Sequence, residues 1–284
     1  MAFILKVLCY INHFFGDNPQ FTGKSSVSQE TDLETLRLKA GNRKLIIEKS
    51  IAELRKIEGI DIKICGISES SLIPLDLTFD KIRKNPIMLV YETLNLMGKY
   101  VNDYDYFINI EDDILLPLKT FENILEFDKQ SYLNEILLPN RLETNPNGEK
   151  FCVDLFAYPG WTTQQKKYLG QTIKVALNAH SGIFIVSKAK FKYLLSHIDT
   201  SFRNIILGTG MESAFAYFHS PFSLYRSTNL NFHSISHLDH WTFSPKQEDL
   251  IQTKTSILSR LLISDFIPPI FMYIFRFLKK RIGN

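Results

Sequence analysis

The sequence predicts an α/β fold, a mainly parallel central sheet flanked by helices. Three observations carry that prediction. The first half alternates strand, helix, strand, helix, strand, the order of a parallel sheet covered by helices. The third of these strands, Tyr106–Ile110, runs into Glu111, Asp112 and Asp113 and then into the apolar Ile114–Leu116. With 45% hydrophobic residues in 284, the chain has ample material for one large core.

Phe3–Ile11 is an apolar run that reads as a first buried strand. It lacks the basic start, the long apolar centre and the small-residue cleavage site of a secretory signal. Asn12–Gln29 is a loop rich in Asn, Gly, Ser and Thr. Loops after the first strand of such a sheet lie at its carboxyl edge, where ligands bind. Asn12, His13 and Lys24 are therefore candidate ligand contacts, against the alternative of a plain surface loop.

Glu30–Ile57 carries Leu33, Leu36, Leu45, Ile46 and Leu54 at helical spacing, and Gly41 suggests a break into two helices. Ile60–Ile67 is a second strand, Ser68–Asn85 is irregular, and Pro86–Tyr100 is a helix with Tyr91, Leu94 and Met97 on its core face. No dinucleotide or P-loop glycine motif occurs. Past the acids, Thr120–Asn134 reads as a helix. Glu135–Leu138 is a short strand opening onto a turn framed by Arg141 and Glu143. Phe151–Phe156 is a strand able to form a hairpin with Glu135–Leu138. Asn178–Gly182 interrupts the approach to the strand Ile183–Val186. Ala189–Ile198 is a helix, and Gly208–Ser213 opens another, Ala214–His219. Residues 1–250 read as one domain.

Three carboxylates clamped between apolar runs repel one another unless a cation neutralises them. A hard divalent ion completed by substrate phosphates would serve; the alternative is an acidic turn that binds nothing. Glu212, in the first turn of a helix, is either a general base or a carboxylate stabilising the helix start. Arg141 suits a diphosphate by its bidentate fork, or makes a surface ion pair. His233, His237 and His240, three of the seven histidines, fall within eight residues beside Asp239. That density suggests a ligand or phosphate contact.

Net charge is only +3, and no basic stripe interleaved with aromatics suggests a nucleic-acid partner. Cys9, Cys65 and Cys152 are far apart and read as buried reduced thiols, which fits a cytosolic compartment. Residues 251–284 change character. The longest charge-free piece, Phe266–Phe275, is interrupted by Pro268 and Pro269 and is too short to span a bilayer. Its aromatics, followed by Arg276, Lys279, Lys280 and Arg281, suit an amphipathic tail lying on an anionic membrane surface.

Taken in order, F-I-N-I-E-D-D-I (Phe107–Ile114), S-G-I-F-I-V-S (Ser181–Ser187), G-M-E-S-A-F (Gly210–Phe215) and H-L-D-H-W (His237–Trp241) resemble nucleotide-sugar glycosyltransferases of the GT-A fold. The likeness is family-2-like, with E-D-D as a D-x-D-type motif, and spans roughly residues 3–245. It implies a Rossmann-related GT-A sheet and sugar transfer from a nucleotide-diphosphate donor to a carbohydrate or glycolipid acceptor. It also implies a divalent metal, Mn²⁺ or Mg²⁺, on Asp113 with His237 or His240. Glu111 and Asp112 would contact the donor or metal-bound water, and Glu212 would be the base of an inverting enzyme. Glu212-Ser213 departs from the commoner Glu-Asp or Asp-Asp. The expected place is the inner face of the cytoplasmic membrane, in surface polysaccharide, lipopolysaccharide or glycolipid synthesis. A nucleotidyltransferase and an inactive scaffold that keeps the fold are the competing readings.

Overall fold

The structure, a computed structural model, describes residues 5–15, 33–145, 147–152, 154, 160–206 and 209–239. Its centre is β1 (Val7–His13), buried along its whole length. A strand covered on both faces reads as a near-continuous apolar run, as this one does. β1 pairs in parallel with β2 (Ile60–Gly66) on one side and β4 (Tyr106–Glu111) on the other. The two-residue β3 (Leu77–Thr78) extends the sheet beyond β2, and β11 (Ile183–Ser187) closes it antiparallel to β4, giving the order β11-β4-β1-β2-β3.

Side chains alternate across this sheet as the period of two requires. Val7, Cys9, Ile11, Ile108 and Ile110 pack with Leu54 of α1 (Leu33–Leu54) and with Phe121 and Ile124 of α3 (Leu118–Asp128). Leu8, Tyr10 and Phe107 face the other way. They meet Val90 and Leu94 of α2 (Leu89–Gly98), Phe191 of α4 (Lys188–Leu195) and Phe215 and Phe218 of α5 (Gly210–His219). The molecule is thus mixed α/β with helices on both faces. The chain leaves β1 for β2 on one side and later returns to β4 on the other. The switch in strand order, the place where such sheets bind ligands, therefore falls at the carboxyl ends of β1 and β4.

Two smaller sheets complete the fold. One has the order β6 (Glu135–Leu137), β12 (Ser223–Ser227), β10 (Gln171–Ala176), β9 (Trp161–Tyr168). The other has the order β5 (Ile114–Leu115), β13 (Ser234–His237), β7 (Asn140–Thr144), β8 (Lys150–Cys152). In the second, His237 lies opposite Ile114 and Arg141 opposite Ile235. This pairing carries residues from the end of the described chain to the acidic turn.

Several expectations need correction. α1 continues through Gly41 as one helix. A glycine in a helix costs about 1 kcal/mol relative to alanine, which the packing of Ile47 and Leu54 offsets. β1 runs on to His13, so Asn12 and His13 belong to the strand and are buried. Arg141 and Glu143 lie in β7, not in a turn. β8 pairs with β7, not with the Glu135–Leu137 strand, because Pro139 ends β6 and a new ladder begins at Asn140. All three cysteines are buried. Among the described residues no helix is long and apolar enough to cross a membrane. The tail 251–284 lies outside the described residues.

Candidate functional site at the carboxyl ends of β1 and β4

Glu111 is the last residue of β4, and Asp112 and Asp113 form the turn into β5. The turn is tied down from behind by the Leu238 N–H, which donates to the Asp113 carbonyl at 2.8 Å. Each of the three carboxylates then meets a cation or imidazole, and Arg43 serves two of them.

Asp112 lies against His13 Nδ1 at 2.5 Å and against the Arg43 guanidinium. The Leu72 N–H donates to His13 Nε2 at 2.9 Å, so Nε2 is an acceptor. The ring proton therefore sits on Nδ1 and is donated to Asp112. Asp113 Oδ2 accepts from Arg43 Nη1 at 3.0 Å and lies 3.2 Å from His237 Nε2. The Asp113 Oδ1 atom is buried without a hydrogen-bond partner among the described residues. Burial alone would raise the Asp113 pKa, but Arg43, His237 and Arg141 together hold it well below the usual carboxylate range. His237 is pinned from its other side by Glu143, whose Oε1 lies 2.5 Å from Nδ1. Burial opposes charge on this ring; Asp113 and Glu143 outweigh it and push its pKa up to about 10.

Glu111 points toward Arg141, whose Nη1 lies 3.9 Å from Oε2. Burial, then the charge of Asp113, pushes its carboxyl up to about 7. Gly182 makes room for it: a Cβ there would fall 2.7 Å from Glu111 Oε2, and the glycine holds φ at +66°. Only a residue without a Cβ takes both the angle and the contact without strain. Arg141 donates from Nη2 to Asp154 at 2.9 Å, while its Nε is buried and unpartnered among the described residues. Desolvation lowers the Arg141 pKa, but Asp154, Glu111 and Asp113 outweigh it and raise the value. Behind this pair lies the wholly buried Arg226, which donates to the Pro139 carbonyl at 2.6 Å and the His180 carbonyl at 2.5 Å.

Arg43 had no place in the sequence reading and is the hub of the site. Its guanidinium reaches Asp112, Asp113 and, at 2.7 Å, Asp239. Nothing local marks one arginine in a 22-residue helix as special; only its distance of 70 residues from Asp113, closed by the fold, does so. Asp154 and Arg226 are likewise visible only once the strands are paired. The chain thus sets cations of its own, Arg43, Arg141 and His237, against the acids of the turn.

The other expected residues divide. Asn12 turns inward. Its amide donates to Asn109 at 2.7 Å and the Ile110 carbonyl at 3.1 Å, and accepts from Thr93 at 2.7 Å. A buried polar strand end is satisfied internally before it can serve a ligand. Glu212 caps α5: its Oε2 accepts from the Thr209 N–H at 2.7 Å in a capping box. It still belongs to the neighbourhood of the acids, because its charge adds to the upward push on Glu111. Glu111, Asp112, Asp113, His13, Arg141 and His237 lie together at the turn. Lys24 and His240 lie outside the described residues.

Could the site hold a metal? Among the described residues no three His, Cys, Asp or Glu side chains converge as a cage. A hard ion completed by phosphates and water needs only one or two protein ligands. Asp113, with its orphaned buried oxygen, meets that need; His237, held as an imidazolium by Asp113 and Glu143, could join only by giving up its Nε2 proton. A carboxylate on the far nitrogen is the usual support of a metal-binding histidine. An open carboxylate oxygen of this kind suits a hard ion such as Mn²⁺ or Mg²⁺. Neither protein-family models nor the curated proteins searched give a match to this chain.

Proposed function

We propose that this chain is a metal-dependent glycosyltransferase of the GT-A type, moving a sugar from a nucleotide-diphosphate donor to a hydroxyl acceptor. The observation that carries the reading is the placement of Asp113. A carboxylate with a buried, unpartnered oxygen stands at the carboxyl ends of parallel strands, beside a histidine already braced by an acid. In this reading Asp113 would hold the divalent ion, with His237 joining it on loss of its Nε2 proton, and the ion would stabilise the charge developing on the diphosphate.

The chain's own groups do the rest. Arg141, kept charged by Asp154, offers N–H donors to a phosphate oxygen. Glu111 and Asp112 orient the donor. Glu212 accepts the proton of the acceptor hydroxyl; the bond from that oxygen to the anomeric carbon forms as the carbon–oxygen bond to the diphosphate breaks. The capping box that Glu212 forms with Thr209 also fixes its direction. The aromatic and basic tail, read from sequence alone, would bring the domain to an anionic membrane surface, fitting a polysaccharide or glycolipid acceptor.

Nucleoside diphosphate release from a panel of nucleotide sugars, with Mn²⁺ or Mg²⁺, tests the reading. Turnover of one donor by the wild type, lost in Asp113→Asn and strongly reduced in Glu212→Gln, is expected. A folded protein that turns over none of them, with acceptor mixtures present, would overturn it.

A further inference from the structure

We propose that Arg43 is an internal stand-in for the divalent ion, holding the acidic turn until metal and diphosphate arrive together. This rests on the reading of Asp113 as a metal-binding residue and concerns how that binding is controlled. One guanidinium engages Asp112, Asp113 and Asp239 at once. Two of these carboxylates are buried, with side chains 3% and 11% exposed; the third, Asp239, is 59% exposed. Arg43 therefore bridges the floor of the site to its rim and can swing outward on Asp239 without losing every partner.

Two facts make the inner position a contested one. Asp113 shares Oδ2 between Arg43 and His237 while its buried Oδ1 goes without a partner among the described residues. A cation entering at Asp113 would therefore sit beside a guanidinium already paired with the same carboxylate. Like charges that close, in a partly dehydrated site, repel strongly. The ion alone gains little from displacing Arg43, because it exchanges one counter-charge for another. The ion together with a diphosphate gains more, since the phosphates supply further oxygen ligands and negative charge. A site built this way holds bare metal weakly and admits the metal–donor pair.

The test is Mn²⁺ binding to the full chain without nucleotide, followed by the electron paramagnetic resonance of the free ion. Arg43→Gln is expected to bind Mn²⁺ at least about tenfold more tightly than wild type, since a neighbouring cation is removed. The gain should vanish when Asp113→Asn is added. Millimolar guanidinium chloride should expel Mn²⁺ from Arg43→Gln by refilling the position, whereas potassium chloride of equal ionic strength should not. Arg43→Lys keeps the charge but not the three-way fork, and should be intermediate; it carries the comparison if Arg43→Gln does not fold. Equal Mn²⁺ affinity in wild type and the folded variants would overturn the stand-in. So would tightening that guanidinium cannot reverse, which would make Arg43 a distant repulsive charge. If wild type binds no Mn²⁺ even with every nucleoside diphosphate, it is the transferase reading that fails.

Discussion

His237 Nε2 lies 3.2 Å from Asp113 Oδ2, joining residues 124 apart in the chain. The contact exists because β13 pairs antiparallel with β5 and sets His237 opposite Ile114, the residue after Asp113. Glu143, from the neighbouring β7, closes the line from the other side. Three strands thus build one carboxylate–imidazole–carboxylate row at the acidic turn.

Glu143→Gln should weaken this row without dismantling it. The amide can still accept from Nδ1–H, but the carboxylate hydrogen bond that supports Asp113 in keeping His237 basic is gone. The expected loss is roughly 10- to 100-fold in affinity for the metal–diphosphate pair, the usual cost of losing such a partner. Titration of Mn²⁺ with the preferred diphosphate measures it, and an unchanged affinity would remove Glu143 from the site.

Arg226→Met tests the buried scaffold behind Arg141. The change leaves the Pro139 and His180 carbonyls without their donor and removes a counter-charge from Asp154. Asp154 keeps Arg141, so the loss comes mainly from two orphaned buried carbonyls, at roughly 2–4 kcal/mol. Urea unfolding at neutral pH should register a loss of that order. A loss below about 1 kcal/mol, the scale of an exposed ion pair, would contradict the assignment.

The pH dependence of stability follows from histidines outside the site. Burial is the main cause that drives His219 and His233 down from the ordinary 6.5 to about 3. Below 6.5 the unfolded chain takes up protons that the folded chain refuses until about 3. Stability from these groups is therefore complete above 6.5 and falls as the pH drops, by up to about 1.4 kcal/mol per pH unit for each ring. Glu111, raised to about 7 from 4.5, works the other way between those values, but it stands against both rings and against His180, which is also lowered; the lowered Asp113 adds to the fall at more acid pH. His237, raised to about 10, contributes stability that fades as the pH rises from 6.5 to 10. Urea midpoints should peak around pH 7 and fall on both sides. The acid limb should flatten in the His219→Gln/His233→Gln pair; a limb unchanged in that variant would place its origin elsewhere.

How much of this was legible in the sequence depends on how local each signal is. The acidic turn was readable because Phe107–Ile110 and Ile114–Leu116 bracket it within a few residues. The core face of α2 was readable because Tyr91, Leu94 and Met97 repeat at helical spacing, and all three are buried. β9 and β10 drew no assignment, since their hairpin turns through Leu169 at φ 45° and Gly170 at φ 75°, and a left-handed leucine leaves no turn signature. Arg43 and Arg226 were invisible for a deeper reason. Each acts through partners 46 to 196 residues away, and only strand pairing and helix packing bring those distances to zero. The same holds for Asn12, whose inward turn is set by Asn109 on β4 and Thr93 on α2.

The most direct measurement is calorimetric binding of UDP, GDP, CDP and dTDP, each with and without Mn²⁺, to wild type and to Asp113→Asn. One diphosphate should bind the wild type only when Mn²⁺ is present, and Asp113→Asn should abolish this binding while remaining folded. Binding that survives the substitution, or a folded wild type that binds none of the four, would contradict the transferase reading.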